Sequence, residues 1–365
     1  YLIFECLGER TIALAQQARR EDAAKGYDPL LERRMRAVLP ACVRNGTRIV
    51  TNMGAANPRA AAEKTRAVAR ELGLTGLRVA AVTGDDVVDQ VGDFVLDETG
   101  APASALGDRL VSANAYIGID GLVAALDAGY FADPGLKDVP DLANIGHPLA
   151  EVDSDGNAVI TKLEGTGGRV SRATCIEQLL YEIHDPARYL QPDVVADFSK
   201  VNFEQIGPDR VAVTDGAGTK ATGLLKVSVG YRDGWFGEGQ ISYAGANCVA
   251  RGNLAISLVR ERLAQTSGAF IEQRGELIGV NSVWPSATGG DAPAEVRMRY
   301  AARCADAQSA QAIGEEVEGL YLAGPAGGGG VTKDIREILA IASTLMPAVK
   351  VAATFEMKEA KHEAA

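Results

Sequence analysis

The sequence predicts an α/β fold, with a parallel, doubly wound (Rossmann-like) sheet in the first half and an α+β second half. Three observations carry this expectation. Short apolar runs end in small residues, helical patterns separate them, and short strands with turns crowd the second half.

The first run, Tyr1 to Cys6, reads as a buried strand, followed by helical pattern over 11–20 and 29–44. Residues 47–52 form a second strand closed by Met53-Gly54-Ala55-Ala56. Asn57-Pro58 is then an N-cap with proline at the first helical position, and that helix runs to Leu72-Gly73. Leu77 to Val82 is a third strand, ending in Thr83-Gly84-Asp85-Asp86 before another helix. Three strand–helix units in succession are the pattern of a parallel sheet over residues 1–98. From Asp133 to Asp155 the chain is loop-rich, with a hairpin around Asp155-Gly156 and a helix over 171–183. Short strands fill 194–245, with turns at Gly207-Pro208, Asp215-Gly216 and Asp233-Gly234. A helix over 248–265 precedes strands near 270–283 and 295–303, a helix over 306–317 and a strand at Leu320–Ala323. The glycine-rich stretch Gly324–Gly330 then leads to a last helix over 332–345. The expected organisation is a parallel α/β subdomain (1–130), an α+β subdomain (131–350) and a polar tail (351–365), disordered from Met357.

Bulk properties exclude several classes. The net charge of −11 argues against nucleic acid as a partner, because phosphate binding needs a basic face. No apolar run approaches the length of about 20 residues that spans a bilayer, and no secretory signal is evident, so no membrane partner is expected. The 5 cysteines are widely spaced without a CxxC pair, which reads as reduced thiols in a cytoplasmic protein. With only His147, His184 and His362 present, a histidine-rich metal site is excluded, and acid–base chemistry falls to carboxylates, Lys, Tyr or Cys.

Three loops share one design: a strand end, small residues, then an expected helix N-terminus. They offer Asn52, Gly54 and Asn57; Gly167, Gly168 and Arg169; and Gly327, Gly328, Gly329 and Gly330 as substrate or anion contacts. None matches a P-loop or a dinucleotide fingerprint, and tight turn packing is the bland alternative. Asp85 and Asp86 follow the third strand, where open α/β sheets place ligands, and Glu5 with Cys6 ends the first strand at the same rim. Asp85, Asp86 and Glu5 are therefore the candidate catalytic residues, and the paired aspartates could hold a divalent cation; helix capping is the competing role. Asp133, Lys137, Asp138 and Asp141 form a second candidate group in a loop that is otherwise a solvated one.

The segments YLIFECLGERTIALAQ, RIVTNMGAANPRAAA, LRVAAVTGDDV, GYFADPGLKDVPDLANIGHPLAEVDSDG, GTGGRVSRATCIEQLLYEIHDPARYLQPDVVADFS, LKVSVGYRDGWFGEGQISYAG and GPAGGGGVTKDIRE together resemble the core domain of the acyclic terpene utilisation (AtuA) family. The resemblance covers nearly the whole chain. It implies a bacterial protein encoded with enzymes that degrade citronellol and geraniol, a route in which geranyl-CoA is carboxylated, hydrated and cleaved. It carries no assigned reaction and no catalytic residue. Family members have a glycine-containing strand ahead of the position of Tyr1, several dozen further residues between the positions of Gly129 and Tyr130, and in many cases a small C-terminal domain. Gly129 and Tyr130 are therefore expected to flank a segment rather than to be natural neighbours.

The resulting expectation is an enzyme acting on a branched acyl-CoA or a carboxylate, as a lyase, hydratase or hydrolase, assembled as a homo-oligomer. A non-catalytic subunit that binds an acyl-CoA or a partner enzyme of the same pathway is the alternative, and turnover distinguishes the two.

Overall fold

The computed structural model of the chain describes residues 1–117, 138–181, 183, 185–284 and 293–359. Asp133, Lys137 and the Gly129–Tyr130 junction lie outside the described residues. The chain divides into unit 1, Tyr1–Gly230 with Ile341–Ala365, and unit 2, Tyr231–Ala340.

Unit 1 opens with β1 (Leu2–Phe4), α1 (Glu9–Glu21), α2 (Leu31–Asn45), β2 (Ile49–Thr51), α3 (Pro58–Glu71) and β3 (Arg78–Thr83). β1 and β2 pair in parallel, Leu2 against Ile49 and Phe4 against Thr51. Leu31, Met35 and Leu39 lie on one face of α2, spaced one helical turn apart, and pack with Ala61, Val68 and Ala69 of α3. Asn57 caps α3 as its sequence position suggests, accepting the Ala60 N–H at 3.3 Å.

The doubly wound parallel sheet is not there. β1 and β2 form a sheet of two strands only, and the other strand pairs among the described residues are mostly antiparallel. β3 pairs instead with the C-terminal strand Thr354–Glu359, antiparallel, Thr83 against Thr354 and Arg78 against Glu359. Exposed ion pairs accompany that pairing: Glu356 meets Arg59, and Lys358 meets Glu63, both from α3. The tail expected to be disordered from Met357 is thus strand as far as Glu359. No helix follows Asp86 either. A short 3₁₀ segment, Ala103–Arg109, leads into β4 (Leu110–Ala115), a strand that pairs with the long strand from Leu224.

The rest of unit 1 is a set of small antiparallel sheets. β5 (Pro148–Val152) and β6 (Ala158–Lys162) make the hairpin around Asp155-Gly156, with Gly156 at φ +86°. α4 (Arg172–Tyr181) follows, then β7 (Tyr189–Leu190), β8 (Val194–Asp197), β9 (Asn202–Gly207), β10 (Arg210–Thr214) and β11 (Ala217–Lys220). They assemble as β5-β6-β10-β9 and β11-β8-β7.

β12 (Leu224–Ala244) is continuous through Asp233-Gly234, where a turn was expected. Gly234 takes φ +87° there against the Cys304 carbonyl, a local irregularity that only glycine accommodates without strain. Then come α5 (Cys248–Leu263), β13 (Phe270–Ile278), β14 (Glu295–Cys304), α6 (Ala307–Ala323), β15 (Gly329–Pro347) and, completing the numbering, β16, the C-terminal strand Thr354–Glu359. The β-α-β-β-α-β run of unit 2 with strand order β13-β14-β12-β15 is the ferredoxin-like arrangement. One core joins Ile241 and Tyr243, Val259 and Leu263, Leu277, Met298 and Tyr300 to Ile313 and Val317. Gly237 and Gly239 of β12 let α6 approach the sheet, since a Cβ at Gly239 would lie 2.6 Å from Val317.

Two further expectations fail in unit 2. Leu320–Ala323 is the last turn of α6, not a strand, and residues 332–345 are strand, not helix. Burial of Ala342, Thr344 and Met346 alternates with a period of two, and β-branched residues suit the sheet. The helix N-terminus assigned to the glycine run therefore does not exist.

Candidate functional site

One group of polar side chains in unit 1 gathers under α1. This helix buries Ile12, Ala13 and Gln16, and it carries Glu9 in its first turn and Arg19 and Arg20 in its last, each sign at the favourable end of the helix dipole. The Tyr116 N–H donates to the Lys226 carbonyl, and a Cβ on Gly230 would touch both Ser112 and Ala13, so β4 runs beneath α1 beside the first residues of β12.

Asp85 and Asp86 are held here from different sides. Asn114 of β4 donates from Nδ2 to Asp85 Oδ2 at 2.9 Å. Gln16 donates from Nε2 to Asp86 Oδ2 at 2.9 Å, and Arg19 stands 3.9 Å from the same oxygen. Arg19 also donates to the Ala56 carbonyl at 2.7 Å, which ties Asp86 to the loop over 52–58. Burial pushes the Asp85 carboxyl above its ordinary 3.8, against the Asn114 hydrogen bond, and the neighbouring charge of Asp86 adds to the rise. The Oδ1 of Asn114 and the Oγ of Ser112 are buried without a hydrogen-bond partner among the described residues. Such groups cost stability and are kept where a site uses them.

At the N-terminal end of α1, Lys226 donates to Glu9 at 2.9 Å and sits 5.2 Å from the centre of the Tyr116 ring. Burial works against ionisation of Glu9, but the hydrogen bond and charge of Lys226, a backbone hydrogen bond and the Tyr116 hydroxyl together outweigh it, and its carboxyl titrates below the ordinary 4.5. Burial pushes the Tyr116 hydroxyl up to about 12, with Ser228 and Glu9 beside it.

Glu5 accepts from Asn52 Nδ2 at 2.9 Å and from the Leu7 N–H at 2.9 Å, while Asn52 Oδ1 takes the Cys6 N–H at 2.8 Å. Arg34 reaches the Cys6 sulfur at 2.7 Å, yet burial leaves that thiol raised. Gly54 packs on Pro58, and Asn57 spends its Nδ2 on the Ala23 and Lys25 carbonyls, so both residues shape the loop. Gly167 and Gly168 donate their N–H groups to the Asn144 and Pro140 carbonyls, and with Arg169 they border a shallow crevice beside Ile145–Pro148. Asp141 accepts from Asn144, and Asp138 stands just before this segment. No group of three or more metal-ligating His, Cys, Asp or Glu side chains converges among the described residues.

Sequence reasoning missed Gln16, Arg19, Asn114, Glu9, Tyr116 and Lys226. A signal did exist for Asn114: Ser112 and Asn114 are short polar residues within an otherwise apolar, buried strand.

The sequence model of the acyclic terpene utilisation family protein AtuA matches residues 1–129 and 128–357. The chain belongs to the AtuA family. The two matches meet at residues 128–129. The family name places this AtuA chain in acyclic terpene utilisation. No curated protein and no solved structure matches it. Among its described residues, no helix is long and apolar enough to cross a membrane.

Proposed function

We propose that this chain is an enzyme of acyclic terpene catabolism that acts on a branched acyl-CoA or the related carboxylate, with Asp85 as the group that moves a proton. The observation that supports this reading is the partly buried Asp85 carboxyl, raised above its ordinary range, directly beside a second carboxyl, Asp86, held by Gln16 and Arg19. Two adjacent carboxylates in unlike surroundings divide acid and base roles. Asp85, partly buried and hydrogen-bonded by Asn114, keeps its proton to higher pH. Asp86 is more exposed, accepts from Gln16 and lies 3.9 Å from Arg19. A proton donor beside a second carboxyl flanked by an arginine suits addition or removal of water, or cleavage, next to a carbonyl. Asn114 is a positioning residue in this scheme, since it orients Asp85.

The test is incubation of the purified protein with branched acyl-CoA thioesters and their free acids, with products followed by mass spectrometry. Wild type should form product, and Asp85→Asn should lose turnover while still binding substrate. Ligand affinity with no product from wild type would favour a non-catalytic acyl-CoA-binding subunit and overturn the assignment.

A further inference from the structure

Unit 2 carries a set of unspent positive charges and donors around its glycine run, and we infer that this loop is a binding site for phosphate-class anions. Arg274, Arg299, Arg303 and Arg336 each meet a carboxylate. Arg251 and Arg297 do not: among the described residues they donate only to neutral groups. Arg251 donates to the Ala326 carbonyl at 2.8 Å and to the carbonyls of Ala244 and Ala246. Arg297 donates to the Gly330 carbonyl at 3.1 Å, to Thr332 at 2.7 Å, and to Gln240 and Ser242. Two guanidinium charges thus bracket Gly327–Gly330, one at each end, in a chain of net charge −11.

Two buried donors point the same way. The Tyr243 hydroxyl has no partner, and the residue is 0% exposed. A Cβ on Gly328 would come within 3.3 Å of that hydroxyl. The Nε of Arg251 is likewise buried and unpartnered, and its guanidinium lies 5.8 Å from the centre of the Tyr243 ring. The loop itself is exposed at Gly327 and Gly330, which take φ +73° and +67°. Nothing lies within 4 Å of the place a Gly329 side chain would occupy. Neighbouring guanidinium groups favour phosphoryl oxygens over a single carboxylate. The site lies wholly within unit 2 and does not rest on the role given to Asp85.

Inorganic pyrophosphate and coenzyme A are the probes, titrated separately into the full chain by calorimetry and ³¹P NMR. Binding of both assigns a diphosphate site open to an ester; binding of pyrophosphate alone assigns a site for the free anion. Either supports the inference. Affinity should weaken as salt rises. Gly329→Asp places a carboxylate in the open space and should raise Kd by about tenfold or more. Tyr243→Phe should raise Kd several-fold without lowering Tm, because the hydroxyl it removes bonds to nothing in the protein. No binding of either probe to wild type overturns the inference, as does binding that Gly329→Asp and Tyr243→Phe both leave unchanged.

Discussion

Units 1 and 2 solve the problem of burying their apolar residues in opposite ways. Unit 2 lays two helices on one antiparallel sheet and closes a single core that runs from Ile241 to Leu320. Unit 1 divides its core among separate groups: Leu31, Met35 and Val68 in one, Ile160, Val170 and Val211 in another, Ile12, Ala55 and Ala56 in a third. Small clusters leave seams between them, and the seam under α1 is where Asn114, Ser112, Gln16 and the two aspartates meet. A single close-packed core has no such seam to offer. The ferredoxin-like unit instead brings Arg251 of α5 and Arg297 of β14 to the loop at Gly327–Gly330.

That contrast can be broken by mutation. The largest effect is expected at the seam, on turnover: Asp85→Asn should lower kcat by about 10²–10⁴, the usual contribution of a positioned acid or base. Next, Leu277→Ala in the core of unit 2 should lower the unfolding free energy by about 2–5 kcal/mol in denaturant titrations. Ile160→Ala, in a smaller cluster better able to close over the gap, should fall at the lower end of that range or below it. Equal losses at Leu277 and Ile160 would remove the distinction between one core and several. A smaller loss, about 1–2 kcal/mol, is expected for Asn57→Ala, which removes the cap of α3 and leaves the Ala23 and Lys25 carbonyls without their donor.

The smallest effect tests the burial of Asp85 by pH. Its folded carboxyl titrates above 3.8, so the folded state binds its proton more tightly than the unfolded chain does. The stability this contributes is complete below 3.8 and is lost as pH rises through the folded value. At neutral pH, Asp85→Asn should therefore match or exceed wild type in Tm, and the gap should close in acid. A variant less stable than wild type at neutral pH would mean that the charged carboxylate is a structural asset.

Legibility from sequence followed the same division. The α5 boundary, expected at 248–265 and found at Cys248–Leu263, comes from a strong helical period within a unit whose neighbours agree with it. The Asn57 cap is equally local, a matter of one side chain and the proline after it. Residues 332–345 were misread because their helical spacing competes with a strand position beside β12, and the sheet wins. The parallel sheet failed for a long-range reason: β3 takes its partner from residues 354–359, which no local pattern announces. The site has the same limit. Asp85, Asp86, Glu5 and Asn52 stand out because they end strands. Their neighbours do not, since Asn114 lies 29 residues from Asp85, Gln16 70 residues from Asp86, and Lys226 217 residues from Glu9.

The pairing of β3 with β16 also orders events during synthesis. Unit 2 is one unbroken stretch, Tyr231–Ala340, whereas unit 1 needs residues from both sides of it. As the chain leaves the ribosome, the ferredoxin-like unit has all its strands available while β3 still waits for Thr354–Glu359. Its exposed Val82 is then a strand edge without a neighbour. Slow translation through the codons for Thr354–Glu359 would prolong that interval, and chaperone dependence should therefore centre on β3.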